Sequence, residues 1–176
     1  MIKSLSAQLS GYIYHNNERK HVSQEVMQFT LIGIFTNVIT IMLSLCIGLI
    51  DGMFQETCFA VASLAALRML TGGRHFAIPE VCIIVSTAAL VAVPFMRVSE
   101  LLIYIMAIVS AILIWLYAPV DIKEKTRISD RSLLIMKYSG MALVLSNLII
   151  QSEILSVSWL IASFTLISFK GGEAHD

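Results

Sequence analysis

Residues Phe29 to Ile50 read FTLIGIFTNVITIMLSLCIGLI, an apolar run without a single Asp, Glu, Lys or Arg that stops at Asp51-Gly52. The hydrocarbon core of a bilayer takes about 20 residues of helix, so this stretch is long enough to cross it. Further apolar stretches follow at short polar intervals. The second, about Phe54 to Leu70, carries Glu56 and Arg68 near its ends and leads into Thr71-Gly72-Gly73. The third runs from Pro79 to about Met96, and the fourth from about Leu101 to Ala118, closed by Pro119. The fifth, about Leu134 to Ile150, is separated from the sixth, about Ile154 to Phe169, only by Gln151, Ser152 and Glu153, which predicts a helical hairpin.

The composition agrees with this reading. Of 176 residues 57% are hydrophobic and 14% charged, with a mean hydropathy of +0.83. A soluble domain carries about a quarter charged residues to cover its surface. The expected fold is therefore an all-α integral membrane protein of about six transmembrane helices. Residues 29–170 form the transmembrane unit and residues 171–176 a short tail. Residues 1–28 are too polar to span, yet Ile2, Leu5, Leu9, Tyr12 and Ile13 recur at helical spacing, which predicts an amphipathic helix lying at the membrane surface. No compact apolar core with a small-residue cleavage site follows the first basic residue, so the first span is expected to be retained.

Twelve basic residues balance 12 acidic ones, so no net charge recruits nucleic acid. Their positions are informative, because Lys and Arg are held on the cytoplasmic side during insertion. With both ends cytoplasmic, the inner segments hold Lys3, Arg19, Lys20, Arg68, Arg74, Lys123, Lys125, Arg127, Arg131, Lys137 and Lys170, and the outer segments only Arg97. That puts the Gly72-Gly73 turn and the basic loop from Lys123 to Lys137 at the cytoplasmic face.

The segment between the second and third spans carries the residues suited to chemistry: Arg68, Gly72, Gly73, Arg74, His75, Pro79, Glu80 and Cys82. On a straight helix the seven-residue spacing of His75 and Cys82 would separate their Cα atoms by roughly 10 Å, too far for a thiol and an imidazole to meet. Gly72 and Gly73 permit a reversal, and Pro79 suits the first position of a new helix, so His75 can fold back towards Cys82. Cys82 then falls in the first turn of that helix, where unpaired N–H groups favour an anion. In that arrangement His75 serves as general base for the thiol and then as acid for the departing amine. Glu80 is a candidate to orient the imidazole, and Arg68 to neutralise a substrate carboxylate or to meet lipid phosphate.

Plainer readings exist for each residue. A cysteine in an apolar helix is most often packing, which suffices for Cys46 and Cys58, and an interfacial histidine is most often a solvated anchor, which suffices for His15, His21 and His175. The glycine pair alone is a turn, and the arginines alone follow the topology rule. No His-Glu-x-x-His, Gly-x-Ser-x-Gly or Walker-type segment is present. His75 and Cys82 lack two further ligands for zinc, so neither metal nor cofactor is expected.

Taken together, the arginine before a glycine-rich turn, the His75-to-Cys82 spacing, the multi-span layout, the polar N-terminus and Tyr117-Ala118-Pro119 followed by a basic loop resemble the AgrB-like (accessory gene regulator B) family. These are bacterial membrane cysteine endopeptidases of peptide quorum sensing. The resemblance puts the catalytic cysteine on Cys82 and the catalytic histidine on His75, with Arg68, Gly72 and Gly73 on the family motif. It implies a small AgrD-like propeptide as substrate, cut through an acyl-enzyme and closed to a thiolactone or lactone ring. It also suggests a homodimer in the bacterial cell membrane. The competing class is a non-catalytic membrane protein that binds or exports a peptide, with the Gly-Gly turn as a gate. Lys123, Lys125, Arg127 and Arg131 are expected to contact lipid head groups or an acidic propeptide tail, or else serve topology alone. Removing those charges weakens cleavage only if they touch the substrate.

Overall fold

The computed structural model describes residues 1–16, 22–73, 76, 78–120 and 129–167. Among them the regular structure is helical: α1 (Ile2–Asn16), α2 (Gln24–Ile50), α3 (Phe54–Thr71), α4 (Pro79–Ala92, continued by a 3-10 turn Val93–Phe95), α5 (Glu100–Tyr117), α6 (Asp130–Ile150) and α7 (Glu153–Phe164).

Local chemistry explains most boundaries. Ser23 caps α2 by accepting the Val26 N–H at 3.4 Å, and Ser152 caps α7 by accepting that of Leu155. At the end of α2 the Met53 N–H reaches Gly48 O at 2.8 Å and the Gly52 N–H reaches Leu49 O at 3.3 Å, with Gly52 at φ 71°. That pair of bonds is a Schellman stop, and it makes the Asp51-Gly52 break of the sequence into a sharp corner. Pro79 occupies the first turn of α4, and Pro94 ends that helix in the 3-10 turn. Ala118 is extended before Pro119, as a residue preceding proline must be, and so closes α5.

All six apolar stretches are helical over most of their length, and three of the described helices qualify as membrane spans by length and composition alone. α2, α5 and α6 are long and apolar enough to cross a membrane on their own. The helix α3 has comparable length but includes Gln55, Glu56 and Arg68. The apolar segment Pro79–Phe95 is shorter, and α7 has 12 residues, about 18 Å of helix against a hydrocarbon core of about 30 Å. The sixth stretch stops being helical at Phe164, where Thr165 turns the chain.

Packing divides these helices into two groups. α3, α5, α6 and α7 enclose Leu67, Ile114, Val144, Leu155, Trp159 and Ala162. A second, smaller core of Ala60, Leu90, Val93 and Val157 joins α3 and α7 to the end of α4. α2 lies against α1, α3 and α4. The expected α6–α7 hairpin is corrected in form: the connection is as short as predicted, but each helix packs more on α3 and α5 than on the other. Asn147, fully buried, governs that corner by donating to Ser152 O at 3.1 Å and Ser156 Oγ at 2.6 Å and accepting the Ser152 N–H at 3.0 Å.

The patterning is inverted relative to a soluble bundle. α2 buries Thr36, Thr40, Ser44 and Gly48 while Ile34, Val38, Met42 and Leu49 face outward. Small side chains let backbones approach closely, and lipid solvates the outward apolar face. α1 follows the same rule: Ile2, Ser6 and Ser10 are buried, whereas Leu5, Tyr12 and Ile13, members of the predicted apolar face, are exposed.

Replacing Asn147 by Leu leaves the Ser152 amide and the Ser156 hydroxyl without their partner in a buried turn. A loss of about 2 kcal/mol is expected, read as a lower midpoint in detergent unfolding.

Candidate functional site

The candidate site grows out of the way α3 ends. The Gly72 N–H closes the helix on Arg68 O at 2.9 Å, and Gly72 then takes φ 74° and ψ −153°, a combination open almost only to glycine. Gly73 follows at φ 155° and is buried. A side chain there would meet Thr165 Oγ1 at 2.8 Å and the Arg68 guanidinium at 2.9 Å. The Arg68 side chain is therefore folded back over the turn it precedes, and the residue after α7 closes the other side. Thr165 is held in turn by donating to Ala162 O at 2.7 Å.

The chain beyond α5 fastens the same turn. The Val120 N–H donates to Thr71 O at 3.1 Å, and Gly72 and Val120 form an isolated parallel bridge. The Ala118-Pro119 peptide bond that leads there is cis. Gly140 of α6 brings its backbone against Thr71, so that α3, α5, α6 and the end of α7 converge on residues 71–73. Beside this corner Ala118, Pro119, Asp130, Leu133, Leu134 and Lys137 line a groove of about 300 Å³.

Cys82 stands in the first turn of α4, 5% exposed, where Pro79 and Ile83 are also buried. Its N–H donates to Ile78 O at 3.2 Å. The unpaired amides expected at the helix start therefore belong to the residues before Cys82. The sulfur lies 4.0 Å from Ser86 Oγ, one turn on. Of the three free cysteines Cys82 is buried, Cys58 half-buried and Cys46 exposed. Glu80 Oε1 accepts the Met1 amine at 3.1 Å and the Ile2 N–H at 3.3 Å, tying it to α1. His75, Arg74, Lys123, Lys125, Arg127, His21 and His175 lie outside the described residues. Among the described residues no group of three or more His, Cys, Asp or Glu side chains gathers where it could hold a metal ion.

Arg68, Gly72 and Gly73 are thus brought together in one corner, with Cys82 at the start of the next helix. Sequence reasoning missed Thr165, Val120 and Ser86. Tyr117-Ala118-Pro119 was the one signal for the second of these.

These features define a helical membrane protein whose conspicuous motif lies in the turn between α3 and α4. The family model for "Accessory gene regulator B" matches residues 6–170, and the chain belongs to this AgrB family. That family is associated with propeptide processing in agr quorum sensing and acts on an AgrD-type propeptide. "Putative AgrB-like protein 2" of Clostridium perfringens strain 13 is 23% identical over 98% of this chain and 86% of its own length. A "Putative AgrB-like protein" of C. perfringens strain SM101 is 24% identical over 88% and 75%, and one of Halalkalibacterium halodurans is 30% identical over 68% and 61%. No solved structure matches the chain.

The turn provides a test with an internal control. Gly72→Ala and Gly73→Ala are each expected to lower stability by about 1–3 kcal/mol, Gly73→Ala the more because its neighbours must also move. Gly33→Ala, in helix α2 with open space around it, is expected to leave the melting temperature in detergent unchanged or raised.

Proposed function

We propose that this chain is a membrane cysteine endopeptidase of the AgrB type, with Cys82 as nucleophile and His75 as general base and acid. The observation that carries this reading is the position of Cys82. In a chain of this family, it is the one cysteine that follows the fastened Gly72-Gly73 turn at the opening of a helix begun by proline. Cys46 and Cys58 sit within α2 and α3, away from the turn.

The proposed reaction has two steps. His75 takes the thiol proton as Cys82 Sγ attacks the carbonyl carbon of the scissile bond. The tetrahedral intermediate expels the amine of the C-terminal fragment, which takes that proton from His75, and a thioester remains on Cys82. A thiol or hydroxyl within the retained peptide, giving its proton to His75, then attacks the thioester carbonyl; the acyl–Sγ bond breaks, a thiolactone or lactone closes, and Cys82 leaves as a thiolate that takes the proton back from His75. Holding that group close gives it a high effective concentration, so ring closure outpaces hydrolysis. Burial of Cys82 supports the same partition by limiting water at the thioester.

Arg68, folded over the turn, is suited to meet a propeptide carboxylate through its guanidinium. The groove beside Pro119, with Lys137 and Asp130 among apolar neighbours, is a candidate cradle for an extended peptide. The basic residues favour insertion in the bacterial cell membrane with both termini and the site at the cytoplasmic face.

Co-expression with the propeptide tests the reading. Cys82→Ala and His75→Ala are each expected to cut release of the C-terminal fragment by at least roughly 10³-fold, while Cys46→Ala and Cys58→Ala leave it unchanged. A covalent peptide adduct on Cys82 should be visible by mass spectrometry. If Cys82→Ala inserts normally and still releases the fragment, the chain is not a Cys82 protease, and a peptide-binding or export role takes its place.

A further inference from the structure

Glu80 has a partner for which the cleavage reaction has no use. The acceptor of the Ile2 N–H is the same Oε1 that meets the Met1 amine, across 78 positions of sequence from Ile2. One carboxylate thus sits between the N-terminal ends of two helices, where unpaired N–H groups and both dipoles favour a negative charge. α1 has no acidic residue in its own first turn, and α4 supplies one from outside.

Behind this contact α1 is laid down along a single face. Ile2 is nearly buried and Ser6 and Ser10 completely so, and the helix packs mainly against α2. An exposed ion pair contributes little by itself. Here its effect is positional, because a serine-lined face of small side chains can slide along its neighbours and the carboxylate fixes where α1 begins.

We infer that Glu80 is a positioning residue that fastens the start of α1 to the start of the Cys82 helix. Through that fastening α1 steadies the opening turn of α4, the turn that carries Cys82. The consequence for cleavage rests on Cys82 being the nucleophile, whereas the fastening does not depend on it.

Alkylation by N-ethylmaleimide in native membranes, followed residue by residue by mass spectrometry, reads this directly. Cys46 in α2 and Cys58 in α3 serve as internal references, each compared with its own rate in the unaltered chain. The Cys82 rate in the unaltered chain is the baseline for each variant. Glu80→Ala should raise the Cys82 rate by roughly tenfold, as a local opening made easier by one contact would. Glu80→Gln keeps an oxygen for the Ile2 N–H and should stay within roughly threefold of the unaltered rate. Ser6→Leu forces α1 away from the opposite side and should reproduce the effect of Glu80→Ala.

No change at Cys82 in Glu80→Ala overturns the inference, and so does a change there that Ser6→Leu fails to reproduce. A parallel rise at Cys58 also overturns it, since the fold rather than α1 would then have been released. Alkylation needs no propeptide, so a Cys82→Ala chain that still cleaves would sink the protease reading and leave the labelling result standing.

Discussion

The bond from the Val120 N–H to Thr71 O holds the corner on which the rest of the arrangement depends. α3 has to end, reverse and release the chain into α4 without leaving backbone polar groups bare in an apolar surrounding. Helix termini carry such groups unavoidably, and in a membrane protein they are tolerated where protein covers them. Here the cover comes from three directions: the segment after α5 pairs with Thr71 and Gly72, Arg68 folds over Gly73, and Thr165 closes the far side. Distant parts of the chain therefore meet at a turn that is only a few residues long, and α4 begins from a defined place.

The same solvent logic shapes the helices. Thr36 donates to Ile32 O and Thr57 to Met53 O, each one turn back on its own helix, so small polar side chains line the contacts without needing a partner across them. Where a polar group does cross between helices it settles a geometry: the Trp159 indole N–H donates to Ser63 O at 3.1 Å and joins α7 to α3. At the far side of the bundle from residues 71–73, Gln151 donates to Tyr104 and Arg97 pairs with Glu153, which ties the α6–α7 turn to α5 and to the loop before it.

What could be read from the sequence follows from the range of the interactions involved. The break after α2, the proline start of α4, the end of α5 at Ala118 and the end of α3 just before Gly72-Gly73 are written in neighbouring residues, and all lie where those residues put them. The number of spans is less legible, because α3 is less apolar than α2, α5 and α6, and α7 has only 12 residues. The splaying of α6 from α7, the face on which α1 rests and the closure of Gly73 by Thr165 depend on residues far apart in the chain. A single sequence carries no signal for such pairs. Glu80 illustrates the difference: the sequence makes it a candidate to orient the His75 imidazole, and nothing in it signals the contact that Glu80 makes with the beginning of α1.

Burial of the candidate nucleophile sets a condition on the proposed chemistry. A thioester on a fully solvated sulfur would be open to water throughout its lifetime, and ring closure would depend on speed alone. At 5% exposure Cys82 is shielded by its own helix and its neighbours before any substrate arrives. The peptide retained on the sulfur then supplies the nearest nucleophile in a place from which water is largely excluded. The fastened turn from which α4 begins therefore bears on the second step of the proposed reaction at least as much as on the first. Cleavage needs only that the thiol reach a carbonyl, whereas cyclisation needs the site to stay closed to water until the ring has formed.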